Sequence, residues 1–269
     1  MELLVTGDYG HVGRNLSTPH RRLPFREPSQ WPQILTNCPK PFSILHLAAV
    51  TGPAAEQDYQ QINVCRTLEL AQIALDFGVK RFYFASSGHV YGKVHRPANE
   101  SQQLSPISMY AKSKSEAEQS LSKLFGSSDS SFRLHILRIF SLLDFGMKSS
   151  TLGSRFENVL VNPELKIMNA LDERNFLTPS QAARLIDKVL VAKELPHILN
   201  ICSDTKLSVE QACKYLARSA GKITSPSMFD QSTSDLPYNL GDNSLLKTTI
   251  GIQHLDWLYL SKYISHGGE

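Results

Sequence analysis

A phenol and an ammonium stand four residues apart in Tyr110-Ala111-Lys112-Ser113-Lys114, a spacing that sets both on one face of a helix. A cation near a phenol favours the phenolate and draws its pKa from about 10 towards neutrality, where it can exchange a proton with a substrate hydroxyl. The pair alone is a weak signal. It gains weight from Phe84-Ala85-Ser86-Ser87-Gly88-His89-Val90-Tyr91-Gly92, a strand pattern that ends upstream in paired hydroxyls. In a parallel sheet the carboxyl ends of the strands border one crevice, so Ser87 and Tyr110 can converge on a single oxygen atom. A second constellation, Thr6-Gly7-Asp8-Tyr9-Gly10-His11-Val12-Gly13, places glycines at i, i+3 and i+6 directly after an apolar run and is expected to open a helix. Without side chains such a turn tightens, lets the backbone approach a pyrophosphate, and aims helix N-terminal N–H groups at the anion.

These groups must be positioned by a regular frame, and the first half of the chain supplies its pattern. Strand-like runs at Glu2 to Thr6, Phe42 to Leu47, Arg81 to Ala85 and Leu134 to Arg138 alternate with helical periods. Ile62, Cys65, Leu68, Ala71 and Leu75 form one apolar stripe that stops at Gly78, and Tyr110 to Phe125 reads as a second helix stopped by Gly126-Ser127-Ser128. The fold expected is α/β, a Rossmann-like doubly wound parallel sheet with a smaller C-terminal α+β lobe. After about residue 145 the texture changes to short elements between Pro163, Pro179, Pro196, Pro226 and Pro237. Helices are expected there at Ser180 to Lys193, Ser208 to Ala220 and Asp256 to Ile264, with a strand at Ile198 to Cys202. Residues 1–145 are thus read as a dinucleotide-binding unit and 146–269 as mainly a substrate lobe, with some segments returning to the first.

Composition excludes several classes. The 269 residues are 41% hydrophobic and 20% charged, with a net charge of +3 and a mean hydropathy of -0.21. That is ordinary globular chemistry and lacks the dense positive charge of a nucleic-acid binder. The first apolar run ends at Thr6-Gly7, so neither a signal-peptide core nor a span of about 20 apolar residues is present, and a soluble cytoplasmic protein without membrane partners is expected. Cys38, Cys65, Cys202 and Cys213 show no metal-ligand or disulfide spacing and read as small core residues, so no metal is expected.

One stretch departs from the dinucleotide-binding pattern. An acidic residue about 20 positions beyond the glycines ordinarily holds the adenosine ribose. Here Glu27 is the only acid between Asp8 and Glu56, in a segment punctuated by Pro24 and Pro32. Residues 14–41 are also too few for two covering helices and two strands, which need roughly 40 residues with their loops, so one strand–helix unit must be stunted or absent. Arg14, Arg21, Arg22, Arg26 and Lys40 lie in this stretch, either as a solvated basic loop or as partners of a ribose 2′-phosphate, which would favour NADP over NAD.

Taken together, Thr6 to Gly13, Leu45-His46-Leu47-Ala48-Ala49, Ile62-Asn63-Val64, Ser86 to Gly92, Tyr110 to Lys114 with Glu118, Arg138-Ile139-Phe140, Arg174-Asn175-Phe176-Leu177 and Asn200-Ile201-Cys202-Ser203 carry a resemblance. The chain resembles the extended short-chain dehydrogenase/reductase family, the NAD-dependent epimerase/dehydratases of nucleotide-activated sugars. The resemblance implies NAD or NADP held by Gly7, Tyr9, Gly10, His11, Val12, Gly13, Leu47, Ala48, Ala49, Ser86, Tyr110 and Lys114. It implies Tyr110 as general acid/base, Lys114 on the nicotinamide ribose and depressing the tyrosine pKa, and Ser87 orienting the sugar oxygen. Ser87, His89, Ser141 and Arg174 would meet the substrate, Arg174 at its pyrophosphate.

One departure from the family pattern narrows the activity, and two others concern substrate contact. The dehydratase members carry Asp-Glu where this chain has Gly88-His89, so the acid that expels water is missing. The family's usual Asn after Arg138 is Ser141, and two acids usual after the Arg174 segment are Ser180 and Gln181. The reading is therefore an epimerase or 4-ketoreductase on a nucleoside-diphosphate sugar, and the sequence does not separate the two. The alternative is a non-catalytic NAD(P)-binding sensor. Tyr91 is expected to pack, His46 to be a satisfied core residue, and Asn63 to bridge by hydrogen bonds. A homodimer is implied through helices near residues 56–77 and 105–125, with Ala111, Ser113, Ala117 and Ser120 as a small-residue cue.

Overall fold

The computed structural model describes residues 2–126, 134–147, 151–233 and 239–255. Its strands are β1 (Glu2–Thr6), β2 (Arg21–Arg22), β3 (Phe42–His46), β4 (Arg81–Ser87), β5 (Leu134–Ile139), β6 (Ser141–Leu142), β7 (Glu173–Leu177), β8 (Ile198–Ile201) and β9 (Lys206–Ser208). Its helices are α1 (Trp31–Thr36), α2 (Glu56–Asp58), α3 (Arg66–Asp76), α4 (Met109–Gly126), α5 (Leu152–Val161), α6 (Pro179–Val191), α7 (Val209–Ser219) and α8 (Ser244–Ile250). Six strands form one parallel sheet in the order β2-β1-β3-β4-β5-β8. The chain reverses its direction of travel across the sheet at β1, and this switch opens a crevice above the carboxyl ends of β1 and β3.

The strands read as continuous apolar runs because both sheet faces are covered. Alternation along β4 shows the two layers: Phe82 and Phe84 enter a core with Trp31, Leu35, Phe42 and Phe125 under α1, α3 and α4. Tyr83 enters the opposite core with Leu137, Ile186, Val189, Leu199 and Leu246, covered by α6 and α8. A smaller sheet, β6-β7-β9, packs with α5 and α7 around Phe156, Phe176, Leu207, Leu216 and Phe229. The segment Ile198–Ile201 pairs with β5, so part of the second half completes the first sheet.

The glycine loop does not open a covering helix, contrary to expectation. A three-residue 3-10 turn, Gly13–Asn15, is followed by extended backbone at Leu16. Pro19 follows closely and pushes its predecessor out of helical geometry. The remainder of the stretch holds only the two-residue β2 and the six-residue α1. The expected helix from Ile62 begins instead as a π-helical turn, Tyr59–Cys65, before α3. The expected helices at 180–193 and 208–220 begin at Pro179 and Val209, where Thr178 with Gln181 and Ser208 with Gln211 form capping boxes. The expected helix at 256–264 lies outside the described residues, as do Ser127, Ser128 and Pro237. Cys38, Cys202 and Cys213 are buried and unpaired, whereas Cys65 is exposed on the π turn and not in the core. Of the small residues on α4, Ala111, Ser113 and Ala117 are buried within this chain and Ser120 is half-buried. No helix among the described residues is long and apolar enough to cross a membrane.

Candidate active site

The crevice above β1 and β3 is a cavity of about 1090 Å³. Its wall contains Gly7, Tyr9, Gly10, His11, Val12 and Gly13 after β1, Leu47, Ala48 and Ala49 after β3, and Ser86, Ser87 and His89 at the end of β4. Tyr110 and Lys114 enter from α4, Ser141 from β6 and Arg174 from β7. Parallel strands make this convergence possible, because every βα connection leaves the sheet at the same edge.

Two glycines of the loop are required sterically. Gly7 has φ +73°, and a Cβ there would stand 2.7 Å from the Ala48 amide nitrogen. A Cβ on Gly13 would stand 2.4 Å from the Gly7 carbonyl oxygen and 2.7 Å from Asp8 Cα. The Gly10 amide donates to the Gly7 carbonyl at 2.8 Å, closing the turn. Backbone therefore lines this end of the cavity, which suits a phosphate-bearing ligand approaching main-chain N–H groups.

At the other end, the Ser87 hydroxyl faces the Tyr110 phenol closely enough to lower its pKa and accepts the His89 backbone N–H at 3.2 Å. Lys114 is buried; its Nζ donates to the Ala85 carbonyl at 2.7 Å and lies 4.6 Å from the centre of the Phe84 ring. Burial lowers the ammonium pKa to about 7, with Glu118 opposing. The Tyr110 phenol behaves differently from the expectation of a depressed pKa. Burial pushes it up to about 12, with only the Ser87 hydroxyl pulling down. The physical reason is orientation: the ammonium is turned onto the Ala85 carbonyl and the Phe84 ring.

His89 is half-buried, its Nε2 2.7 Å from Asn239 Nδ2, and its ring meets Tyr110 edge-on at 6.4 Å. Burial and the Arg174 charge lower its pKa to about 4, so it is neutral near pH 7. Asn239, in left-handed backbone at φ 57°, also donates to Ser141 Oγ at 3.1 Å. Asn63 bridges: its carboxamide pairs with both backbone groups of Val50, at 2.8 and 3.0 Å, and donates to Ser113 Oγ. His46 lies buried between Thr6 Oγ1 at 2.6 Å and Thr67 Oγ1 at 2.9 Å, its pKa held well below the usual value by burial. Tyr91 packs, donating to Asn200 Oδ1 and accepting from Arg138. Gln181 faces its own helix end through the capping box and does not line the cavity.

Of the five cations noted between residues 14 and 40, Arg22 and Arg26 line the cavity and Arg14, Arg21 and Lys40 do not. The Arg22 guanidinium stacks 4.7 Å above the exposed Tyr9 ring and lies 3.7 Å from Asp8. Sequence reasoning missed Arg66, Met147, Thr151 and Arg155, which also line the wall. Arg66 lies on the helix whose apolar stripe was read from the sequence, whereas α5, which carries Arg155, was not expected, and the target of both was set by how α3 and α5 dock. No cluster of three metal-ligating side chains occurs among the described residues.

A family model described as NAD dependent epimerase/dehydratase family matches residues 19–202, beginning just after the glycine loop. The chain belongs to this family. GDP-6-deoxy-D-talose 4-dehydrogenase of Aggregatibacter actinomycetemcomitans is 24% identical over 277 residues, covering 93% of this family member and 92% of that protein. UDP-glucose 4-epimerase of Vibrio cholerae is 38% identical over 95 residues, which span 34% of this chain and 28% of the epimerase. Among solved structures, RMD from Pseudomonas aeruginosa complexed with NADPH superimposes with a TM-score of 0.77 at 24% identity, covering 94% of each chain. The shared fold is therefore the doubly wound α/β sheet of this family.

Proposed function

We propose that this family member is an NAD(P)-dependent epimerase or 4-ketoreductase acting on a nucleoside-diphosphate sugar. The observation that carries the reading is that one cavity joins the glycine loop to the Ser87–Tyr110–Lys114 set and continues to Arg155 and Arg174. The dinucleotide, when bound, accepts or donates a hydride at the sugar carbon. Tyr110 Oη takes the proton of the hydroxyl on that carbon, or returns it to the carbonyl, while Ser87 Oγ fixes the oxygen by a hydrogen bond. Lys114, an ammonium in a dry site, would turn from the Ala85 carbonyl towards the ribose and phenol, supplying the charge that makes the phenolate accessible. Arg155 and Arg174 provide guanidinium forks for the substrate pyrophosphate. Arg22 and Arg26 favour NADP(H), since they stand at the end of β2 and just beyond it, where an acidic residue would hold an unphosphorylated ribose.

Water elimination has no support in this wall. Its two carboxylates, Asp8 and Glu27, belong to the β1–β2 side, and the group beside Tyr110 is the neutral His89. The comparison with a dehydrogenase and an epimerase supports the redox step common to both. Candidate sugar nucleotides with NADPH or NADH test the reading: epimerised product at constant 340 nm absorbance marks an epimerase, and stoichiometric loss of absorbance a reductase. Absence of either reaction and of dinucleotide binding refutes it.

A further inference from the structure

The glycine loop has lost the helix that would ordinarily clamp its far end. Gly13–Asn15 is one 3-10 turn, and the chain leaves it through extended backbone at Leu16 and a bend at Thr18. Free chain on that side would leave the phosphate-facing amides without a fixed direction, and a loop disordered by about 1 Å loses most of the benefit of preorganised donors. The structure holds the segment by another means. Asp187, on α6 and 170 residues away, receives three hydrogen bonds from it: Ser17 N–H to Oδ2 at 2.8 Å, Thr18 N–H to Oδ1 at 3.0 Å, and Thr18 Oγ1–H to Oδ1 at 2.6 Å. The hold is transmitted back to the loop. Asn15 Nδ2 donates to the His11 carbonyl at 2.7 Å and the Arg14 N–H to the Gly10 carbonyl at 3.1 Å. Val12 and Leu16 pack against the same apolar layer as Ile186 and Leu190 of α6.

We infer that Asp187 is the positioning residue of the dinucleotide-phosphate loop, a carboxylate strap that replaces the missing covering helix. This rests on the proposed dinucleotide site. It ties cofactor affinity to α6, an element that contributes no residue to the cavity wall. Chemistry of the carboxylate explains the choice: two backbone N–H groups and a hydroxyl point at one side chain, and only an acceptor-only group with two oxygens satisfies all three.

The test measures dissociation constants of NADPH and NADH by nicotinamide fluorescence for the full chain and for Asp187→Ala, Asp187→Asn and Thr18→Val. Asp187→Ala removes all three bonds and should weaken whichever dinucleotide binds by about tenfold or more. Asp187→Asn keeps the two bonds to Oδ1 but sets an amide donor against the Ser17 N–H, and Thr18→Val removes the hydroxyl bond alone, so both should fall between Ala and wild type. With cofactor saturating, kcat and the sugar-nucleotide KM should stay within twofold of wild type, which a general loss of structure would not allow. Should Asp187→Ala fail to fold, weaker dinucleotide binding by Asp187→Asn and Thr18→Val than by wild type still supports the strap, and wild-type affinity in both overturns it. Equal affinities across the series, with the wild type binding, overturn the strap alone. A wild type that binds neither dinucleotide overturns the strap and the function reading together.

Discussion

Replacing Lys114 by methionine isolates the energetic consequence of burying an ammonium at the proposed site. The folded pKa is lowered from 10.5 to about 7 because the group is 2% exposed and burial outweighs the Glu118 attraction. Between about pH 7 and pH 10.5 the unfolded chain therefore binds a proton that the folded chain has partly or wholly released. Stability must rise with pH across that window, at up to about 1.4 kcal/mol per pH unit. With a folded pKa of about 7, the burden on the folded state is roughly 4 kcal/mol at pH 7 and between 2 and 3 at pH 8.5, an order-of-magnitude change of about 2 kcal/mol. Lys114→Met removes the titration. It also leaves the Ala85 carbonyl without its 2.7 Å donor, a cost of about 1–3 kcal/mol that does not depend on pH. The decisive quantity is thus the difference between two differences. Urea unfolding of both proteins at pH 7 and pH 8.5, without ligands, should show wild type gaining about 2 kcal/mol on the variant as pH rises. Other titrations, including those of the buried cysteines, occur in both proteins and cancel. A stability gap equal at the two pH values would refute the claim that Lys114 is held near neutrality in its charge balance.

Four further outcomes follow from the same geometry. Tyr110→Phe should lower kcat by at least about 100-fold while leaving dinucleotide affinity within twofold, as stopped-assay turnover and fluorescence titration will show. Arg22→Ala should weaken NADPH about tenfold, near 1.4 kcal/mol, without weakening NADH; equal losses for both would place Arg22 outside a 2′-phosphate contact. Gly13→Ala forces a Cβ to within 2.4 Å of the Gly7 carbonyl, so dinucleotide affinity should fall at least tenfold, by direct titration, with secondary structure retained by circular dichroism. Glu118→Gln should cost about 3–5 kcal/mol in denaturant unfolding. The carboxylate meets Arg138 Nη2 at 2.7 Å and Nε at 3.1 and 3.2 Å, and it also accepts from Ser86, so the variant leaves a buried guanidinium uncompensated.

The network around Arg138 shows why prediction from types and spacing stopped short. Arg138 and Glu118 both belong to segments with readable periods, but nothing in 20 residues of separation says that their forks meet at the end of β4. Likewise the basic stretch offered five equivalent cations, and only the path of β2 selected Arg22 and Arg26 for the cavity wall. The expected covering helix after Gly13 failed for a local reason: Pro19 and the short distance to β3 outweigh the glycine pattern, and no helical stripe was present to resist them. Asp187 gave no sequence signal, because a helix carboxylate finds a distant backbone only after α6 has docked on the sheet.

What the sequence determined by itself is the order of short apolar runs, the glycine spacing, the Tyr–Lys helical face and the paired hydroxyls, because periodicity and steric permissiveness are local properties of the chain. From these came the parallel sheet and the set of residues at one edge of it. The tertiary structure alone decided which side chains share the cavity, that the phenol's pKa is raised while the ammonium's is lowered, and that a carboxylate from α6 receives the segment after the glycine loop. Those are consequences of desolvation and of donors and acceptors meeting across the fold, and neither quantity exists until the elements have packed.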